Sequence, residues 1–313
     1  MIWLRPLLLP LALVLASAPL PATAQEAAPD SVEEVVVTAR TSGAPMWTVR
    51  TEVGVVLLVG EIRNVPKATP WYPDRLERAA GGAQRIILGT KAKVSPGDIL
   101  RLIFAGGKLT KLPDGRVAAD YLDAPRLARL RALEARYEQD YSRRNFLITS
   151  FDLLSRRLAF SKDTGDDATD VVRKAARRGD IETRPVGEVR GEDMLDNLFA
   201  APPESHLSCL DAAMAAAEIG PDIVTARGRA WTGFDVPGLM ANPLETALGR
   251  CWPWTDNQLG AELRGQWVAA LDEAVKQPGV TLAVVPIRVL AEEGGVLDQL
   301  KARDLDISGP RWR

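Results

Sequence analysis

Two similar apolar segments near the ends of the chain constrain its fold more than any other feature. Residues 57–63 read Leu-Leu-Val-Gly-Glu-Ile-Arg, and residues 282–288 read Leu-Ala-Val-Val-Pro-Ile-Arg. Each pattern is typical of a buried strand that delivers a polar residue at its end. Because open sheets usually bind ligands at the carboxyl ends of their strands, Arg63 and Arg288 are candidate site residues.

The order of the predicted elements indicates an α/β (α+β) fold. Strands are predicted at both ends of residues 46–313, whereas residues from about 120 to 275 are predicted to be largely helical. We therefore expect a mixed sheet built from the N- and C-terminal portions, with helices around it and a helical insert in the middle. The two similar strands should lie close together. Asp114 and Gly115 also predict a tight hairpin, and Gly106 and Gly107 predict a turn.

Further residues around the two segments match a known family. They are Met46, Trp47, Gly60 to Lys67, Pro70, Trp71, Leu76 and Glu77 near the start, and Val296, Leu297, Leu300, Gly309 and Pro310 near the end. With them the chain resembles the TraB/GumN family, relatives of the Tiki proteases, over most of residues 46–313. The resemblance implies a metal or catalytic site formed by two Gly-x-x-His motifs and a Glu after the second strand.

The positions that this family uses for its site are substituted here. Arg63 and Arg288 stand where the resemblance implies the two histidines, and Val285 replaces the second glycine. Gly89 lies about where the Glu belongs. The resemblance therefore implies a degenerate metal-hydrolase site and a pseudoenzyme.

Few residues of the chain are suited to a metal site. The single histidine, His206, lies in the helical region away from both segments, and metal-dependent hydrolysis needs several converging ligands. Glu61 and Asp98 are candidates for an all-carboxylate site, although their spacing does not demand one. Arg63 and Arg288 would repel a divalent cation. We expect no cofactor.

The two arginines are instead suited to an anion. A guanidinium binds a carboxylate or phosphate bidentately and keeps its proton at working pH. The alternative is that nearby acids neutralise both arginines, with Glu61 the obvious partner for one. Further candidates for the rim of an anion site are Lys91, Lys93, Arg184 and Arg190.

The N-terminal sequence predicts export. Residues 1–24 are typical of a secretory signal peptide, with Arg5 before an apolar stretch and a small-x-small cleavage site. Residues 25–45 are expected to be flexible. Within them, Val32–Arg40 resembles a TonB box, a short peptide that pairs with an edge strand of an envelope partner. The alternative is an ordinary tail, or a strand added to the protein's own sheet.

Export bears on the two cysteines, Cys209 and Cys251. An even pair in an oxidising compartment predicts a single disulfide. Two buried free thiols are the alternative.

Together these features predict an exported, periplasmic protein of the cell envelope. We expect a non-catalytic binding or assembly-associated protein whose ligand is an anionic small molecule or peptide. The alternative is a divergent metal-dependent peptidase or hydrolase with a rebuilt carboxylate site. The formal net charge of −2 and the scattered basic residues do not favour nucleic-acid binding. After signal cleavage we expect no transmembrane segment, because no later apolar run approaches about 20 residues.

Overall fold

The structure is a computed structural model that describes residues 43–255 and 257–313. The expected signal peptide and the Val32–Arg40 segment lie outside the described residues. Within residues 43–255 and 257–313, the helices all fall short of the length and apolarity that a membrane crossing requires.

The strands of the described chain lie mainly near its two ends, whereas its middle is largely helical. The strands are β1 (Met46–Arg50), β2 (Gly54–Glu61), β3 (Arg85–Leu88), β4 (Lys91–Lys93), β5 (Glu182–Pro185), β6 (Glu188–Arg190), β7 (Gly279–Pro286) and β8 (Asp306–Ser308). The first helices are α1 (Asp74–Gly81), α2 (Pro96–Thr110), α3 (Ala124–Tyr137), α4 (Phe146–Phe151), α5 (Ala168–Gly179), α6 (Gly191–Ala200) and α7 (Leu207–Ile219). They are followed by α8 (Asp222–Thr232), α9 (Val236–Ala241), α10 (Pro243–Arg250), α11 (Gln258–Ala274), α12 (Ile287–Ala291) and α13 (Val296–Lys301).

The expected mixed sheet is confirmed. Six strands of the described chain form it in the order β5-β3-β7-β2-β1-β8. The neighbours from β5 to β2 pair in parallel, whereas β1 pairs antiparallel with β2 and β8. The two similar segments lie side by side as β2 and β7, with Leu57 opposite Leu282. The middle portion is largely helical, but it also contributes the edge strand β5.

Local sequence explains where several elements begin. Val and Leu dominate β2, which is buried along most of its length, because such side chains pack well within a sheet. Helix α2 begins after Ser95, whose side chain and that of Asp98 each accept a backbone hydrogen bond from the other residue, and Pro96 occupies its first position. Helix α5 begins in the same way, with Asp167 as the capping residue.

Two predictions about residues 106–118 are wrong. Gly106 and Gly107 lie inside α2, which continues to Thr110. The expected hairpin is a short 3-10 turn at Pro113–Gly115, with Gly115 at φ +68°. Asp114 and Gly115 therefore form a tight turn, but no strand precedes it, because α2 continues to Thr110 and Lys111 forms only an isolated bridge with Arg144.

Helices α3, α4, α7 and α10 of the middle portion share an apolar cluster. Its buried members include Leu130, Tyr141 and Phe146, together with Cys209 and Cys251. The expected disulfide is confirmed: Cys209 in α7 is bonded to Cys251, which follows α10. The bond attaches the start of residues 251–255 to α7. The sheet has a separate cluster that includes Trp47, Trp231 and Trp267.

Candidate functional site

The pairing of β2 with β7 brings the two arginines to one edge of the sheet. Gly60 lies opposite Val285, and Glu61 lies opposite Pro286. Arg63 and Arg288 each follow two residues after these last paired positions, so they emerge together at the carboxyl ends of parallel strands.

A cavity of about 480 Å³ opens at this edge and is lined by both arginines. Gly89, directly after β3, also lines it. Arg63, Arg288 and Gly89, the three positions where the family resemblance implies site residues, thus meet in one cavity. Apolar walls come from β4, β6, α6, α11 and the residues after Cys251, and they include Ala92, Val189, Met194, Trp252, Trp254, Leu259, Leu263 and Trp267.

Arg288 is held by helices α9 and α10. Its Nε donates to the backbone oxygen of Glu245, and the same nitrogen lies 3.6 Å from Oε1 of that residue. Nη2 donates to the backbone oxygen of Met240 at 3.3 Å. Burial lowers the pKa of Arg288, and the charge of Glu245 opposes that shift. Gly249 makes this position possible, since a Cβ there would lie 2.4 Å from Cδ of Arg288.

The guanidinium of Arg63 is more open. Its side chain is 61% exposed, with Nε at 3.4 Å from Oε2 of Glu61 and Nη1 at 3.8 Å from Oδ2 of Asp167. The pairing with Glu61 that the sequence suggested is therefore present. Both distances are longer than a normal charge-assisted hydrogen bond, so a ligand can still compete for this side chain.

Glu61 is a buried carboxylate at the inner end of the site. Only 6% of the residue is exposed, and Oε1 accepts a hydrogen bond from the backbone N–H of Thr169 at 3.2 Å. Burial raises the pKa of Glu61, while Arg63 acts in the opposite direction. The pKa of Asp167 is also raised by burial. The acids beside Arg63 thus hold their protons to higher pH than exposed carboxyls do.

Replacing Glu61 by glutamine should change how stability depends on pH. Because the folded-state pKa of Glu61 lies above its ordinary value of 4.5, its contribution to stability is fully present below that pH and is lost as the pH rises through the folded-state pKa. Glu61→Gln should therefore gain stability relative to the native chain as the pH increases. Urea unfolding at several pH values measures this difference, with Glu52→Gln at an exposed position as the control. A difference that stays constant with pH would contradict it.

The other predicted site residues lie away from the cavity. Asp98 caps α2 through the backbone N–H of Ser95. Lys91 on β4 and Arg190 on β6 are exposed, whereas the adjacent residues Ala92 and Val189 line the cavity. Arg184 lies on the edge strand β5 and pairs with Glu273. Lys93 on β4 is exposed and pairs with Glu188. The structure thus brings Arg63, Arg288 and Glu61 together, but not these five.

Four charged residues of the cavity were missed by the sequence analysis. Arg227 in α8 donates to Oε2 of Glu245 at 2.6 Å and to the backbone oxygen of Arg63 at 2.8 Å. Arg264 in α11 pairs with Glu292 at 2.9 Å. The sequence does contain a signal for the burial of Arg227. Arg227 lies four residues after Ile223 and four before Trp231, on the buried stripe of its helix.

The residues present do not fit the metal that the family resemblance implies. Within the described residues, no group of three His, Cys, Asp or Glu side chains is placed to hold a metal ion. Glu61 and Glu245, the carboxylates beside Arg63 and Arg288, are each paired with an arginine. Guanidinium groups carry no lone pair for coordination and repel a cation.

Comparison with known proteins gives one match. No curated protein and no solved structure matches the chain significantly. A family model described as the TraB/PrgY/gumN family matches residues 45–308, a range that holds the sheet, the insert and the cavity. The chain therefore belongs to the TraB/PrgY/gumN family.

Proposed function

We propose that this protein is an exported, non-catalytic binding protein of the cell envelope. Its cavity at the carboxyl ends of β2 and β7 recognises a small molecule or peptide that carries an anionic group. The observation that carries this proposal is the convergence of Arg63 and Arg288 in one cavity. The family's metal-hydrolase site is degenerate in this chain, because arginines occupy the positions of its histidines.

The charges around the cavity support an anionic ligand. Its described lining residues include four arginines and three glutamates, namely Arg63, Arg227, Arg264, Arg288, Glu61, Glu245 and Glu292. The raised pKa of Glu61 favours its protonation, and each protonated Glu61 leaves one negative charge fewer in the cavity. A guanidinium of low solvent access, such as that of Arg288 at 20% exposure, binds a carboxylate, sulfonate or phosphate more strongly than it does in water.

The walls of the cavity support a ligand with an apolar body. Trp252 and Trp254 come directly after the disulfide and line the cavity together with Trp267 of α11. The first two are partly buried, and Nε1 of Trp252 donates to Asn197 at 3.2 Å. Trp252 also packs against the apolar cluster that contains the disulfide. Apolar walls with a few fixed polar groups are typical of small-molecule sites.

Export to the periplasm is supported by two independent features. The N-terminal sequence has the pattern of a secretory signal peptide. The disulfide between Cys209 and Cys251 is the kind of bond that persists in oxidising compartments.

Binding of 8-anilinonaphthalene-1-sulfonate, an aromatic anion, tests the proposed site. We expect Arg63→Gln and Arg288→Gln each to raise its dissociation constant about tenfold, a loss of about 1.4 kcal/mol, because each removes a charge-assisted contact. Arg190→Gln is the matched control, since its side chain is 66% exposed, close to the 61% of Arg63, but lies outside the cavity. Binding should also tighten at lower pH as Glu61 becomes protonated. Fluorescence titration measures each constant, and circular dichroism confirms that the variants are folded.

If the native chain and all three variants bind the probe with equal affinity, the anion site is contradicted. Metal content after dialysis against Mn²⁺, Zn²⁺ and Co²⁺ in turn supplies the second readout. A near-stoichiometric metal together with peptide hydrolysis would overturn the non-catalytic assignment in favour of a divergent metal-dependent peptidase.

A further inference from the structure

Helix α2 carries a concentrated set of exposed apolar side chains. Six of the nine large apolar residues that are exposed in the described part of the chain lie within residues 94–104. They are Val94, Ile99, Leu100, Leu102, Ile103 and Phe104. Phe104 is 82% exposed and Ile103 is 67% exposed. Single exposed apolar residues are ordinary, but a contiguous patch marks an interaction surface.

The patch covers most of the circumference of the helix. At 3.6 residues per turn, Leu102, Ile99, Ile103, Leu100 and Phe104 follow one another around about 200° of α2. On the remaining side, Arg101 pairs with Asp196 of α6 at 2.5 Å and lies over the ring of Phe199. The exposed surface is therefore a convex apolar ridge that is attached to the protein along one side.

Basic residues accompany this ridge. Residues 89–112 contain five lysines or arginines and one acidic residue, in a chain whose net charge is −2. The acidic residue, Asp98, is used within the helix cap, where it accepts from the N–H of Ser95 at 2.7 Å. Lys91 and Lys111 are exposed just before and just after α2. Two of the five basic residues are paired with acids, Lys93 with Glu188 and Arg101 with Asp196. The exposed Lys91 and Lys111, at either end of α2, can still face a negatively charged surface.

We propose that α2 docks this protein onto an anionic lipid bilayer, with Ile103 and Phe104 entering the interface. A bilayer can cover a wide, convex arc of a helix, whereas a partner helix covers a narrower stripe. Lysines at the edges of such a helix are attracted to anionic head groups. This surface is separate from the cavity arginines, and the inference does not depend on the proposed ligand.

Sedimentation with vesicles of equal parts phosphatidylglycerol and phosphatidylcholine tests the proposal. We expect the full chain to bind these vesicles, and the double variant Ile103→Ser/Phe104→Ser to bind at least tenfold more weakly. Ile219→Ser is the matched control, because Ile219 is a 58% exposed apolar residue at the end of α7. The variants carry the same residues 1–42 as the native chain, so any binding by that segment is common to all of them. Binding should also weaken on pure phosphatidylcholine and at high salt.

Two results would overturn the proposal. One is equal vesicle binding by the native chain and the double variant. The other is no binding by the native chain; if a concentration-dependent dimer then disappears in the double variant, the ridge is an interface between copies of this chain. Because all the substituted residues are exposed, circular dichroism should show unchanged folding.

Discussion

Replacing Glu245 by glutamine is expected to lower the free energy of unfolding by about 3–5 kcal/mol, since it leaves the buried Arg227 without a counter-charge. Glu245 is 5% exposed and Arg227 is 3% exposed, and their side chains are 2.6 Å apart. The same carboxylate lies 3.6 Å from Arg288. One neutral amide of nearly the same shape therefore removes the negative charge that two cavity arginines share.

Urea unfolding of Glu245→Gln measures this loss, and a second pair in the same cavity provides the control. Glu292→Gln removes the partner of Arg264, but both of those side chains are 27% exposed, so its effect should stay below about 1 kcal/mol. Adding Arg227→Met to Glu245→Gln should recover part of the loss, because one uncompensated charge is then gone. A loss below about 1 kcal/mol for Glu245→Gln would show that this pair does not stabilise the fold.

Removing the disulfide is expected to cost about 4 kcal/mol in the chain-entropy model. Cys209 and Cys251 are 42 residues apart in sequence, and the bond therefore limits the unfolded chain over a long loop. The variant Cys209→Ala/Cys251→Ala should also bind the anionic probe more weakly. Cys251 itself lines the cavity and directly precedes Trp252 and Trp254 of its wall.

Urea unfolding with and without a thiol reductant distinguishes the effect of losing the disulfide bond from the effect of replacing the two cysteine side chains. The reductant should lower the stability of the native chain to about that of the double variant and leave the double variant unchanged. Equal stability of the native chain under both conditions, with the thiols shown to be reduced, would contradict the prediction.

The central pair of the sheet was predictable from sequence because both of its strands carry the same local pattern. An apolar run that ends in Ile-Arg appears once near each end of the chain. Burial on both faces of a parallel strand requires such a run. The register that places Gly60 opposite Val285 follows from the same repeat. Hence the positions of Arg63 and Arg288 could be inferred without the structure.

The region from Gly106 to Gly115 shows where local signals failed. Paired glycines normally favour a turn, yet α2 passes through both of them. The capping residues at Ser95 and Asp98 start the helix, and Arg101 attaches it to α6 through Asp196. A contact with a helix about 95 residues away cannot be read from local propensity.

Local pattern determined the strands β2 and β7, the start of α2, the cysteine pair and the two arginines at the end of the sheet. Apart from Glu61, tertiary structure alone decided which charges surround those arginines. Arg227 reaches the backbone of Arg63 across 164 residues of sequence, and Glu245 reaches Arg227 from another helix. The angle and depth of each helix on the sheet depend on packing throughout the core. For the same reason Lys91, Arg184 and Arg190 lie outside the cavity, although their residue type suited an anion site.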